Sequence, residues 1–120
     1  MTSSTETRTL LQRYYDGLSK KEGWQSLLSE DVELTGTLAK ESKGKDLFTH
    51  NNFFRMIKGL KVRKMIVENE NGFALVSYDL VSPKGTSFSS DVAEIWRIND
   101  NKLASLAIYF DTAAFAEAMA

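Results

Sequence analysis

Glu94 stands where a carboxyl can do chemistry. In Val92-Ala93-Glu94-Ile95-Trp96-Arg97-Ile98 the even-numbered residues share one face if the segment is a strand. A carboxyl between Val92 and Trp96 is penalised for carrying charge, so its pKa rises and it can act as an acid or hydrogen-bond donor. A face turned outward, or a basic partner, would make the same residue ordinary. Tyr14 belongs to a stripe of Leu10, Leu11, Tyr14, Tyr15 and Leu18 at steps of three and four. A buried phenol there can donate to a ligand carbonyl, or sit in the core with its hydroxyl satisfied by protein. His50, the single histidine, shares helical spacing with Leu47, Phe54 and Ile57. A neutral imidazole on that face suits a general base or a ligand partner, and equally a structural residue. Tyr14, His50 and Glu94 are the candidate catalytic set.

A second group has the character of a pocket wall. Phe73, Leu75, Ser77 and Asp79 alternate onto one face. If Phe73 and Leu75 line a cavity, Ser77 and Asp79 are its polar groups near one end, although Asp79 fits a solvent position as well. Trp24, Phe53, Phe54, Phe73, Trp96 and Phe110 are core residues or pocket wall, two roles that overlap in a small domain. The expected ligand-binding residues are Trp24, Phe54, Phe73, Ser77, Asp79, Trp96, Ile108 and Phe110. Asp111 lies between Phe110 and Thr112, where a helix N-cap explains it. With no cysteine and one histidine, thiolate and multi-histidine metal sites cannot be built within the chain. No metal and no cofactor are expected.

The elements that must position these residues follow from periodicity. Ser3 and Glu6 have capping-box spacing ahead of the first helix. Gly23 marks a break, and Trp24, Leu27 and Leu28 predict a second, shorter helix ended by Ser29-Glu30-Asp31. Val32 to Leu38 reads as a short strand. Leu47, Phe48, Phe53, Phe54, Met56, Ile57 and Leu60 predict a third helix, terminating near Gly59. The period then becomes alternating. Strands are expected from Lys61 to Val67, Phe73 to Ser82, Ser87 to Ile98 and Lys102 to Phe110. They are separated by turns at Glu68-Asn69-Glu70-Asn71-Gly72, with its Asn-Gly pair, Pro83-Lys84-Gly85 and Asn99-Asp100-Asn101. A C-terminal helix runs from the Asp111 cap through Met119. Helices followed by a meander imply α+β architecture, with helices on one face of the sheet.

Length and charge bound the rest. The 120 residues fit one domain, 1–120, and 15 basic against 16 acidic residues leave a formal charge of −1. That balance gives no reason to expect nucleic acid or an anionic membrane as a partner. Lys58, Lys61, Arg63 and Lys64 form a local basic run that reads as a solvated face at a helix end. No apolar run approaches the roughly 18 residues of a membrane span, and the polar start has no secretory character. A cytoplasmic location is the default expectation.

The segments Leu11-Gln12-Arg13-Tyr14-Tyr15, Trp24 to Leu28 and Glu30-Asp31-Val32-Glu33 resemble the opening of nuclear transport factor 2-like proteins. Ketosteroid isomerases and SnoaL-like polyketide cyclases are among these. Glu94-Ile95-Trp96-Arg97-Ile98, Lys102-Leu103 and Tyr109-Phe110-Asp111-Thr112 resemble their closing strands. The resemblance implies a cystatin-like cone: three N-terminal helices packed in a curved antiparallel sheet around a pocket for a small hydrophobic molecule. It also implies a homodimer through the outer face of the sheet. In ketosteroid isomerases a helix-one tyrosine and a protonated strand carboxyl hold an oxyanion while an aspartate moves the proton. Tyr14 and Glu94 match the first two. The aspartate's place is taken by Leu34-Thr35-Gly36-Thr37, with Gly36 the nearest match, which weakens a steroid-type isomerase reading. The expectation is a SnoaL-like domain that binds a small hydrophobic molecule. The alternatives are an isomerase- or cyclase-type enzyme using acid–base residues, and a noncatalytic protein-interaction module.

Overall fold

A computed structural model of the chain describes residues 2–37, 42–46 and 52–120. Among them run α1 (Ser4–Lys20), a 3-10 turn (Gln25–Leu27), β1 (Leu28–Gly36), β2 (Ser42–Lys43) and α2 (Asn52–Met56). Then come β3 (Ile57–Glu68), β4 (Asn71–Val81), β5 (Ser87–Asn99), β6 (Lys102–Phe110) and α3 (Thr112–Met119).

The capping box opens α1: Ser3 Oγ accepts from the Glu6 N–H and Glu6 Oε1 accepts from the Ser3 N–H, each at 3.1 Å. The helix stops where Lys21 enters the left-handed region at φ 60°, its N–H returning to the carbonyls of Gly17 and Leu18. Leu10, Leu11, Tyr14, Tyr15 and Leu18 are all buried. This stripe lies directly on the sheet, since a Cβ at Gly72 would stand 2.5 Å from Leu11 Cδ1. The helix start is also tied to the β3–β4 turn. Ser4 Oγ accepts from the Asn69 N–H at 2.9 Å, and Thr7 Oγ1 donates to the Asn69 carbonyl.

The described strands form one mixed sheet in the order β2-β1-β6-β5-β4-β3. β3 to β6 are the antiparallel meander that the turn signals predict. β1 instead runs parallel to β6, pairing Leu34 with Leu106 and Gly36 with Ile108. The core fills the space between one face of the sheet and the helices.

The expected cone with three N-terminal helices and a curved antiparallel sheet is therefore corrected. The helices are spread along the chain, at its start, middle and end. Where the second helix was expected there is one 3-10 turn, because Leu28 already pairs with Leu103 and leaves no length for helical turns after Gly23. The third was expected to reach Leu60, but helix ends at Met56 and Ile57 is paired with Leu80. Partners along the whole 12-residue β3 outweigh the three–four spacing that Ile57 and Leu60 share with the residues before them. Among the described strands the sheet is open, with β2 and β3 at its edges, and it is not strongly curled. The basic run Lys58, Lys61, Arg63 and Lys64 falls on the edge strand β3, where charge discourages pairing with another chain.

Candidate functional site

Two registers decide what faces the core. On β4 the buried set is Gly72, Ala74, Val76, Tyr78 and Leu80, and on β5 it is Ser90, Val92, Glu94, Trp96 and Ile98. Cross-strand pairing places Glu94 between Ala74 and Ile108. The carboxyl is thus held in the middle of the sheet's inner face, only 1% exposed.

Tyrosines surround it. The Tyr78 hydroxyl stands 3.1 Å from Oε1 and 3.0 Å from Oε2, and the Tyr15 hydroxyl donates to Oε1. Trp96 Nε1 donates in turn to the Tyr15 oxygen at 2.9 Å. The order Trp96 to Tyr15 to Glu94 makes each hydrogen bond polarise the next, in surroundings of low dielectric. Burial lifts the Glu94 carboxyl to about 7, against the pull of the Tyr15 and Tyr78 hydrogen bonds, which lower it. Near neutral pH the group is divided between its neutral and charged forms. Burial, and then the charge of Glu94, push the Tyr14, Tyr15 and Tyr78 phenols well above their ordinary value, so all three keep their protons.

Tyr14 differs from its neighbours. Its ring packs edge-on against Trp96 at 4.7 Å, Tyr15 at 5.1 Å and Trp24 at 6.1 Å. Its hydroxyl is fully buried and has no hydrogen-bond partner among the described residues. A buried donor left unmade costs about 1–3 kcal/mol, so such a group calls for an explanation.

An aromatic train leads away from this cluster. Trp24 stacks on Phe54 at 4.8 Å, Phe54 meets Phe53 at 5.8 Å, and Phe53 meets Tyr78 at 5.0 Å. Phe115, on α3, touches Phe53, Phe88 and Phe110. Asp111 holds that helix in place by accepting from the N–H groups of Ala113 and Ala114. Phe53, Phe54, Phe88 and Phe110 are only partly buried although they pack against the core.

Of the residues singled out from sequence, the structure gathers Tyr14, Trp24, Phe54, Glu94, Trp96, Ile108 and Phe110 on the inner side. Phe73, Ser77 and Asp79 do share a face, but it is the outer one, and their expected place in a pocket wall is corrected. Ser77 donates to Asp91 at 2.5 Å there, and Asp79 accepts from Ser89 at 3.0 Å. The reason is visible in the alternation. Ala74, Val76, Tyr78 and Leu80 are apolar without interruption except for a phenol, whereas the Phe73 set ends in a charge. His50 lies outside the described residues. Sequence reasoning missed the roles of Tyr15 and Tyr78; the uninterrupted parity of β4 was the available signal for Tyr78. Among the described residues no cluster of three or more His, Asp or Glu side chains suits a metal ion. No helix there is long and apolar enough to cross a membrane.

The position matched to the proton-moving aspartate is closed to any side chain. Gly36 has φ +109°, and a Cβ there would stand 2.0 Å from the Ile108 carbonyl oxygen.

No protein-family model matches the sequence, and no curated protein matches it either. Solved structures do match. TerC co-crystallized with polyporic acid is 20% identical with a TM-score of 0.79, over 94% of this chain and 97% of its own. An NTF2-like protein of unknown function from Burkholderia pseudomallei K96243 is 16% identical with a TM-score of 0.82, over 95% of this chain and 97% of its own. A protein from Jannaschia sp. CCS1, provisionally named a SnoaL-like polyketide cyclase, is 14% identical with a TM-score of 0.80, over 97% and 92%. The chain shares its fold with these structures, which include an NTF2-like protein.

Proposed function

We propose that this domain binds a small hydrophobic molecule whose carbonyl or hydroxyl group is held by Tyr14 and Glu94. The observation that carries the reading is the buried Tyr14 hydroxyl, without a partner among the described residues and beside a carboxyl that is partly neutral at pH 7. A ligand oxygen would accept from Tyr14 and from protonated Glu94, while Trp24, Phe54 and Trp96 give it apolar surface. The co-crystallization of TerC, which has this fold, with polyporic acid supports a small-molecule role.

The test uses 2-acetylnaphthalene, an uncharged aromatic ketone, titrated against tryptophan fluorescence from Trp24 and Trp96. Tyr14→Phe is expected to fold at least as stably as wild type, because it deletes an unsatisfied hydroxyl, and to bind about tenfold more weakly, the scale of one lost hydrogen bond. Equal affinity in Tyr14→Phe, or no saturable binding to wild type, would remove the proposed anchor.

Acid–base catalysis of an isomerase or cyclase type is the second reading, favoured by the value of about 7 at Glu94, which suits proton transfer at neutral pH. It has to proceed without a carboxylate at position 36. We also propose a homodimer through the outer face of the sheet. Ile66, Ile95 and Tyr109 are exposed there, with Phe73 and Ala107 paired directly to Ile95.

A further inference from the structure

A second concavity lies on the other side of Tyr15, between α1 and the edge strand β3. It encloses about 360 Å³ and is lined by Arg8, Gln12 and Tyr15 from the helix and by residues 62–65 from the strand. Arg8, Gln12 and Tyr15 are four and three residues apart, so they project from one helix face.

The strand side owes its shape to a register shift between Val62 and Lys64. Val62 pairs with Val76 and Met65 with Ala74, both of which face the core. In a regular strand, residues three apart point to opposite faces; the extra residue at Arg63 brings Val62 and Met65 to the same one. Two half-buried apolar side chains and the Tyr15 ring therefore form an apolar floor.

The rim is cationic and lacks a counter-charge. Arg63 is engaged on the outer face with Ser77 and Asp91. Among the described residues Arg8 reaches only the Met65 carbonyl, at 3.5 Å, and has no acidic partner. Among the described residues no acidic side chain lines the groove.

We propose that this groove is a binding site for an amphiphilic organic anion, an aryl- or alkyl-carboxylate. Its apolar body rests on Tyr15, Val62 and Met65, and its carboxylate meets Arg8; Lys64, paired with Leu75, faces the other side of the sheet. An arginine fork suits a carboxylate, and apolar walls strengthen the pairing over its value in open water. The site is separate from the one around Tyr14, yet the two share Tyr15, whose hydroxyl donates to Glu94. An occupant of the groove therefore presses on the ring that anchors the inner network.

Backbone amide NMR of the whole chain, titrated with 4-phenylbutyrate and separately with 4-phenylbutan-1-ol, decides the matter. The acid is expected to move amides in residues 8–15 and 62–65 and to bind at least about tenfold more tightly than the alcohol. Arg8→Gln, at an exposed position, should weaken the acid by about three- to tenfold, the range of one charge-assisted contact, and leave the alcohol unchanged, whereas Lys64→Gln, on the outer face, should change neither. Equal affinity for acid and alcohol, or no effect of Arg8→Gln, overturns the proposal. So do shifts confined to Tyr14, Trp24 and Phe110, which would place the ligand at the inner site instead. Tyr14→Phe should leave binding of the acid in the groove intact, so failure of either site can be told from failure of the other.

Discussion

A carboxyl that holds its proton up to about pH 7 in the fold, but only up to 4.5 when unperturbed, links folding to pH. Below the unfolded value both states are protonated and stability is greatest. Between 4.5 and about 7 the unfolded chain releases the proton while the native chain keeps it, so stability falls; above that range the loss is complete. The size is on the order of 3 kcal/mol for a shift of this extent. Glu94→Gln cannot lose a proton and keeps an acceptor oxygen for Tyr15 and Tyr78. Urea unfolding across this range should show the variant gaining on wild type as pH rises, and a pH-independent difference would contradict the account. Tyr15 and Tyr78 act in the opposite direction, since their hydrogen bonds lower the value that burial raises.

At the scale of elements, the glycine at position 36 shows how sheet geometry excludes chemistry. Its φ of +109° and the Ile108 oxygen 2.0 Å from an added Cβ mean that Gly36→Ala must break the β1–β6 pairing or move backbone. A loss of at least about 3 kcal/mol in denaturant unfolding is expected, the range of strained or overpacked sites. By contrast Gly72→Ala meets only the flexible end of Leu11 and should cost less. The sequence made the meander readable because its turns are marked by Gly, Pro, Asn and Asp, and it made α1 readable through the Ser3–Glu6 box and one continuous stripe. It did not reveal that Ile57 begins β3, because an apolar residue at helical spacing satisfies both periods and only pairing with Leu80 separates them. Nor did it reveal that β1 is parallel to β6, which depends on contacts between distant parts of the chain. The inward position of Glu94 was legible from its neighbours. Its tyrosine partners lie 79 and 16 residues away in sequence, and no local pattern names them.

For the whole molecule, the two faces of the sheet divide the work. The inner face buries the polar network under α1, and the outer face exposes Ile66, Ile95 and Tyr109 at 53%, 49% and 49%. If that face joins two copies, Ile95→Lys should convert a dimer to a monomer in sedimentation velocity without unfolding it, since Ile95 is half-exposed in one chain. A wild-type protein that sediments as a monomer at high concentration would refute the dimer. The inner site would still stand, because none of its hydrogen bonds crosses the sheet.

The account rests above all on a carboxyl inside an aromatic core that still holds its proton in part near pH 7. The direct measurement is the side-chain carboxyl ¹³C shift of Glu94, assigned by its disappearance in Glu94→Gln and followed from pH 3 to 9. The account predicts a single titration with its midpoint near 7, displaced when an uncharged ketone binds. A midpoint near the ordinary 4.5 would mean that Glu94 is charged throughout the working range. It could then no longer donate to a ligand oxygen, and the proposed anchor would fall.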